Sequence, residues 1–108
     1  MSRVMNALGL CRKAGALISG TDMICTSLRD AKGKRPLLVL EASDTSEGTH
    51  KKINDKCSFY GVRIERLSET AEELARAVGK TGGLAAVAVT DKNLAELVKK
   101  SLGEEPQN

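Results

Sequence analysis

Residues 12–22, RKAGALISGTD, join a basic helix end, a very short strand and the glycine-led start of a second helix. Gly15 can end the first helix in the left-handed conformation, which residues with a Cβ avoid. Gly20 lets the backbone come close to whatever lies in front of the next helix, and either Thr21 or Asp22 is expected to cap that helix. The stretch therefore predicts a helix–strand–helix unit.

The start of the second helix is a candidate anion site. The first turn of a helix has unpaired N–H groups and about half a positive charge from the macrodipole, so a phosphate could bind there with Arg12 and Lys13 beside it. Phosphate in this setting indicates nucleic acid or a nucleotide. The alternative is that the two glycines only end and start ordinary helices, because capping residues occur at most helix ends.

Apolar periodicity and capping residues predict the remaining elements. Helices are expected at 2–13, 21–31, 44–60, 68–78 and 90–102, with Ser68 as the cap of the fourth, and strands at 17–18, 37–41, 62–67 and 85–89. Within the strand at 37–41, the run at 37–40 is apolar without alternation, as in a strand covered by helices on both faces, whereas 62–67 alternates like a strand near a sheet edge.

The alternation of helices and strands predicts an α/β fold, a three-layer α/β/α sandwich around a small mixed sheet of about four strands. At 108 residues the chain has the size of one domain. We expect that domain to span residues 1–102 and to be followed by a frayed tail at 103–108.

Composition and charge restrict the classes of function. Residues 1–35 carry seven Lys or Arg against two acids, within a net charge of +3, which points to a polyanion partner or to a solvated basic face. Phe59 and Tyr60 are the only aromatic residues, which argues against a flat base-stacking surface. Any nucleic-acid binding is expected to use backbone amides, cations and shape.

Cofactor and catalytic chemistry have few candidate residues. The three cysteines are widely spaced and lack any CxxC pair, so they are interpreted as buried reduced thiols. His50 is expected on the solvated surface and has no evident nucleophile to pair with. The sequence predicts no enzyme activity, metal or cofactor. It also predicts a cytoplasmic protein without membrane segments, because no apolar run approaches the ~20 residues that span a bilayer.

Several segments carry a family resemblance through their order and spacing. They are LGLCRKAG at 8–15, ISG at 18–20, LLVLEASD at 37–44, DKCSFYGV at 55–62, ELARAVGK at 73–80 and VAVTD at 87–91. Together they resemble the kink-turn-binding ribosomal protein superfamily of the L-seven-Ae and L-thirty-e type, especially its small bacterial branch. The resemblance covers roughly residues 8–97.

The resemblance implies an L-thirty-e-like sandwich that binds sharply bent RNA through the N-terminus of the second helix and the loop before the last strand. These regions correspond to residues 20–26 and 80–84 of this chain. The implied function is non-catalytic recognition of kinked or bulged helical RNA, ribosomal or in a messenger leader, by a monomer. With the basic helix end included, the candidate RNA-binding residues are Arg12, Lys13, Gly20, Thr21, Asp22, Lys80, Thr81, Gly82 and Gly83.

The chain departs from the family pattern at the start of the second helix. Strong RNA binders of the family carry Asn, Glu and Lys where this chain has Asp22, Met23 and Thr26. We expect Asp22 to act only as the helix cap and Met23 to lie at the edge of the core, the alternative being contact of Met23 with a base or sugar. These departures leave open a second function, a protein-interaction or assembly module of the same fold.

Overall fold

Helices and strands alternate along the chain in the predicted order. The computed structural model describes residues 2–30 and 33–104. The elements are α1 (Arg3–Lys13), β1 (Leu17–Ser19), α2 (Thr21–Arg29), β2 (Leu38–Glu41), α3 (Glu47–Tyr60), β3 (Arg63–Arg66), α4 (Ala71–Ala77), β4 (Ala86–Val89) and α5 (Lys92–Glu104). The predicted end of α2 at Ala31 and the tail at 105–108 lie outside the described residues. Helix α5 continues two residues past its predicted end.

The four strands form one mixed sheet in the order β1-β4-β2-β3. Strand β4 pairs antiparallel with both β1 and β2, and β2 pairs parallel with β3. The prediction that residues 62–67 contain an edge strand is therefore confirmed. Since β1 forms the other edge, it leaves one side of its backbone available next to α2.

The sheet lies between two layers of helices. Alternate residues of β2 and β4 point to opposite faces, as the period of a strand requires. Leu38, Leu40, Val87 and Val89 pack with α1, α4 and α5, whereas Val39, Ala86 and Ala88 pack with α2 and α3. All of these side chains are buried, and the predicted α/β/α sandwich is confirmed.

Three helices end at a glycine in the left-handed conformation. Gly15, Gly61 and Gly79 have φ values of 69°, 68° and 73°, and the residue after each one donates its amide to a carbonyl of the last helical turn. This Schellman arrangement satisfies helix carbonyls while it reverses the chain. It directs the chain into β1, into β3 and into the loop that precedes β4.

Helix α4 begins later than predicted. Its cap is Thr70, whose hydroxyl accepts from the amide of Glu73 while the Glu73 carboxylate accepts from the amide of Thr70. Ser68 was the predicted cap, and this prediction is wrong. Residues 67–69 still follow the end of β2, since the amide of Ser43 donates to the carbonyl of Glu69 over 2.8 Å. The helix can start only after that pairing ends.

A buried carboxylate connects the sheet to α3. Glu41 is 1% exposed; it accepts from Asn54 Nδ2 over 3.0 Å and lies 2.6 Å from His50 Nδ1. A buried charge of this kind requires such partners. His50 lies on the surface as expected, with its side chain 41% exposed, and its ring nitrogen is also directed at Glu41. The interpretation of the cysteines as buried thiols is confirmed for Cys11 and Cys57 and is wrong for Cys25, which is partly exposed; all three are free thiols.

Candidate nucleic-acid interface

Helix α2 begins without a side-chain cap. Gly20 occupies the N-cap position with φ 98° and ψ 142°, and no side chain accepts a hydrogen bond from the first turn. The amides of Thr21, Asp22 and Met23 consequently have no acceptor within residues 2–30 and 33–104. The positive φ favours glycine, which has no side chain to act as a cap. The prediction that Thr21 or Asp22 caps α2 is wrong.

Asp22 lies inside the first turn of α2, and its partner comes from α3. Its carboxylate accepts a hydrogen bond from Lys52 Nζ over 3.3 Å. An acid in the first turn interacts favourably with the helix dipole, and the lysine places a positive charge beside it. Sequence reasoning missed Lys52, because the two residues are 30 positions apart and neither belongs to a local motif.

The glycine loop before β4 lies against the start of α2. A shallow depression of about 410 Å³ is lined by residues 20–23, by Thr49 and by residues 83–85. The amide of Leu84 donates to the carbonyl of Ala71 over 3.0 Å, and a Cβ on Gly83 would lie 3.3 Å from the Ala71 Cβ. Close packing on α4 therefore holds this loop in place. The predicted convergence of the two segments is confirmed for Gly83 and the α2 start.

Cations border a second depression, on the β1 side of α2. This depression, of about 330 Å³, is lined by Arg12, residues 17–19, Met23 and Lys80. The Arg12 guanidinium lies against Gly79, since a Cβ at that glycine would be 2.8 Å from Arg12 Cζ. The end of α1 and the loop after α4 thereby bring two cations to one place, Arg12 and Lys80.

Met23 forms the border between the two depressions. It is 59% exposed, so the expectation that it lies at the edge of the core is wrong. Its position in the first turn of α2 directs an apolar, adaptable side chain to the surface between the cations and the glycine loop.

The remaining predicted residues are exposed but line neither depression: Lys13, Thr81 and Gly82. Gly82 has φ 81°, which gives the loop its turn before Gly83. Lys34 donates to the carbonyl of Gly15 over 2.8 Å. That contact places a further cation at the end of α1.

The protein is a small α/β/α protein in which a helix start without a side-chain cap lies next to a glycine loop and near two cations. Residues 2–99 match the model of the Ribosomal protein L7Ae/L30e/S12e/Gadd45 family. The chain belongs to that family.

Two curated relatives are similar over most of their length. The RNA-binding protein YlxQ of Bacillus subtilis (strain 168) is 39% identical over 88 residues, which cover 82% of this chain and 83% of that protein. The RNA-binding protein YlxQ of Enterococcus faecium is 38% identical over 78 residues, which cover 72% of each chain.

Solved structures share the fold. A protein of unknown function from Bacillus halodurans C superposes with a TM-score of 0.84 at 24% identity, covering 96% of this chain and all of that one. The Giardia lamblia 15.5kD RNA binding protein gives a TM-score of 0.72 at 17% identity, covering 94% of this chain and 83% of its own. Both likenesses confirm the sandwich architecture.

No helix in residues 2–30 and 33–104 has the length and apolar character needed to cross a bilayer. Within the same residues, no group of three or more His, Cys, Asp or Glu side chains is arranged to hold a metal ion.

Proposed function

We propose that this protein is a non-catalytic RNA-binding protein that recognises kinked or bulged helical RNA of the kink-turn type. The N-terminus of α2 and the loop before β4 bind the bend, and Arg12 and Lys80 bind the flanking phosphates. The protein acts as a cytoplasmic monomer and needs no cofactor. The observation that carries this proposal is the depression in which three unpaired amides of α2 face the glycine loop.

The chemistry of this surface suits RNA that is recognised by shape. Unpaired amides at a helix start can donate to phosphate oxygens or base edges, and they require no particular sequence. The glycine backbone at 82–83 permits close approach by a ribose–phosphate chain. The two curated relatives support RNA as the partner, since each is named an RNA-binding protein and each is aligned over at least 72% of this chain.

Lys52 offsets the negative charge of Asp22 at the start of α2. An acid at position 22 repels phosphate, and family members that bind RNA strongly have an amide there. In this protein the Asp22 carboxylate is paired with Lys52 Nζ at 3.3 Å, so the net charge of the pair is zero. The macrodipole and the unpaired amides of α2 then remain favourable for an anion.

A protein-interaction module is the second candidate, and Met23 favours it. An exposed methionine at the centre of the surface is typical of adaptable protein interfaces. The two candidates differ in salt dependence, because RNA binding releases counterions and weakens steeply with salt, whereas an apolar protein interface does not.

The test is a titration of fluorescently labelled kink-turn RNA with the purified protein at two salt concentrations, with an unkinked duplex as the control RNA. We expect selective binding to the kinked RNA that weakens as salt rises. Arg12→Gln and Lys80→Gln should each lower the slope of log affinity against log salt by about one. Equal weak binding to both RNAs would refute recognition of the kink.

Arg63→Gln is the matched control variant. Arg63 is exposed on β3, at the opposite edge of the sheet from β1, and the substitution removes the same charge as Arg12→Gln. We expect unchanged affinity and slope. If all three variants behave like the unmodified protein, the RNA binds elsewhere on the surface.

A further inference from the structure

The chain has an exposed aromatic ring outside the surface described above. Phe59, at the end of α3, is 80% exposed. Its ring contacts Tyr60 edge-on, with centroids 4.9 Å apart and planes at 82°. A single exposed apolar side chain is common on protein surfaces, so the meaning of Phe59 depends on its neighbours.

Those neighbours are cationic and share one face of α3. Lys52, Lys56 and Phe59 follow one another at helical spacings of four and three residues, which places them in a row. Together with Asp55 and Tyr60 they line a groove of about 590 Å³. The aromatic ring therefore lies at the end of a row of lysines.

The row faces a second row on α2. Asp22, Thr26 and Arg29 recur at steps of four and three residues on that helix, and they line a groove together with Lys52 and Lys56. Asp22 also lines the depression at the α2 start. These five residues and Phe59, which lies at the far end, form one continuous surface, which we name the α2–α3 track.

The unpaired charges of the track are positive. Asp22 is paired with Lys52 at 3.3 Å, and Asp55, which borders the Phe59 end, is paired with Lys51 at 2.9 Å. Arg29 and Lys56 have no carboxylate partner among the residues that the structure describes. Both are therefore available to an anion from outside.

The length of the track fits a few nucleotides. Asp22 and Arg29 are seven positions apart on α2, and so are Lys52 and Phe59 on α3. This spacing corresponds to ~10 Å along each helix at ~1.5 Å per residue. A stacked strand advances ~3.4 Å per nucleotide. The track can thus accept about three nucleotides that leave the α2 start.

We propose that the α2–α3 track binds a single-stranded extension of the RNA that is held at the start of α2. Arg29 and Lys56 contact its phosphates, and a base stacks on the ring of Phe59. The inference rests on the proposed function, because the extension must leave an RNA bound at α2. RNA is the occupant that the charges and the continuity favour, since stacking on an aromatic ring flanked by cations is how proteins bind single strands without sequence preference.

The test compares RNAs with and without a short oligouridine extension at the 3′ or the 5′ end. Two carriers are used, a kink-turn RNA and a straight duplex, and the readout is the ratio of affinities for the extended and blunt forms. We expect an extension at one end to raise affinity about fivefold or more, the effect of one base stacked on an aromatic ring. Phe59→Ala should abolish the gain and leave blunt RNA unaffected, whereas Phe59→Tyr should preserve it.

Lysine variants on two helices provide the matched pair. Lys56→Gln should lower the gain and its salt dependence. Lys100→Gln should do neither, because Lys100 is exposed on α5 and lines none of these grooves. A gain that Lys100→Gln removes as effectively as Lys56→Gln would overturn the assignment to the track.

The outcomes separate this inference from the proposed function. No gain from an extension on either carrier overturns the inference even where kinked RNA is bound selectively. A Phe59-dependent gain on both carriers without selectivity for the kink supports the track and refutes kink recognition. Sedimentation of the free protein is a further test. If the protein self-associates and Phe59→Ala abolishes that association, the surface around Phe59 binds a second copy of the chain, and the inference is overturned.

Discussion

Gly79→Ala should lower the stability of the fold and also displace the Arg12 side chain. Gly79 has φ 73°, a conformation in which a residue with a Cβ is less stable by about 1–2 kcal/mol. A Cβ there would also lie 2.8 Å from Arg12 Cζ and Nη1, inside van der Waals contact. Since the clash is with the end of a flexible side chain, the guanidinium can move away at little further cost. We expect a melting temperature about 4–8 °C lower for each kcal/mol lost.

The same substitution should weaken RNA binding. Arg12 and Lys80 line one depression, and displacement of the guanidinium removes one cation from the phosphate backbone. In kink-turn RNA titrations over a range of salt, the slope of log affinity against log salt should fall by about one. Measurements well below the melting temperature keep the folded fraction the same for all variants.

Gly61→Ala is the matched control. Gly61 ends α3 in the same Schellman arrangement with φ 68°, and a Cβ there would meet no atom within 4 Å. Both variants should lose similar stability, and only Gly79→Ala should lose salt-dependent affinity. If the two variants bind blunt kink-turn RNA equally well, then the contact of Arg12 with Gly79 does not position a phosphate ligand, and our account of that side of the site is wrong.

Two further predictions concern capping and the cysteines. Thr70→Ala should lower the free energy of unfolding by about 1 kcal/mol in urea titrations, because it removes the α4 cap, whereas Ser68→Ala should leave it nearly unchanged. Burial raises the pKa of both buried thiols, Cys11 and Cys57, to about 11. Asp91 adds a smaller contribution at Cys11, and Cys25 does so at Cys57. At pH 8 iodoacetamide should therefore modify the partly exposed Cys25 first, as followed by mass spectrometry. The unfolded thiols ionise near their ordinary pKa of 9.0, below the folded ones, so the free energy of unfolding should fall as pH rises from 9 towards 11.

The sandwich could be predicted because its signals are local. Apolar runs such as 37–40 and the glycines that end α1, α3 and α4 each act over a few residues. The missed cap of α4 also had a local signal. Ser68 and Thr70 are both capping residues, but only Thr70 has a glutamate three positions later, Glu73, which completes the capping box.

The partners of a buried polar group were missed because they are distant in the sequence. Leu37-Leu38-Val39-Leu40 predicts a buried strand, but nothing in that run shows that the next residue, Glu41, continues into the core. The structure shows that Glu41 is buried under α3 and that His50 and Asn54 supply its partners. The contact of His50 with Glu41 was missed, because the two residues lie nine positions apart on different elements.

The same limit applies to the comparison of this chain with its family at the start of α2. Taken alone, Asp22 in place of an amide predicts repulsion of phosphate, and Thr26 in place of a lysine predicts a lost cation. In the folded protein Lys52 of α3 contacts Asp22 at 3.3 Å, so a cation reaches the first turn of α2 from another helix. The charge of the surface depends on this pair, since Lys52→Gln would leave Asp22 without its cation next to the unpaired amides. The charge at the start of α2 is therefore set by α2 and α3 together, and a motif that covers only residues 20–26 does not describe it.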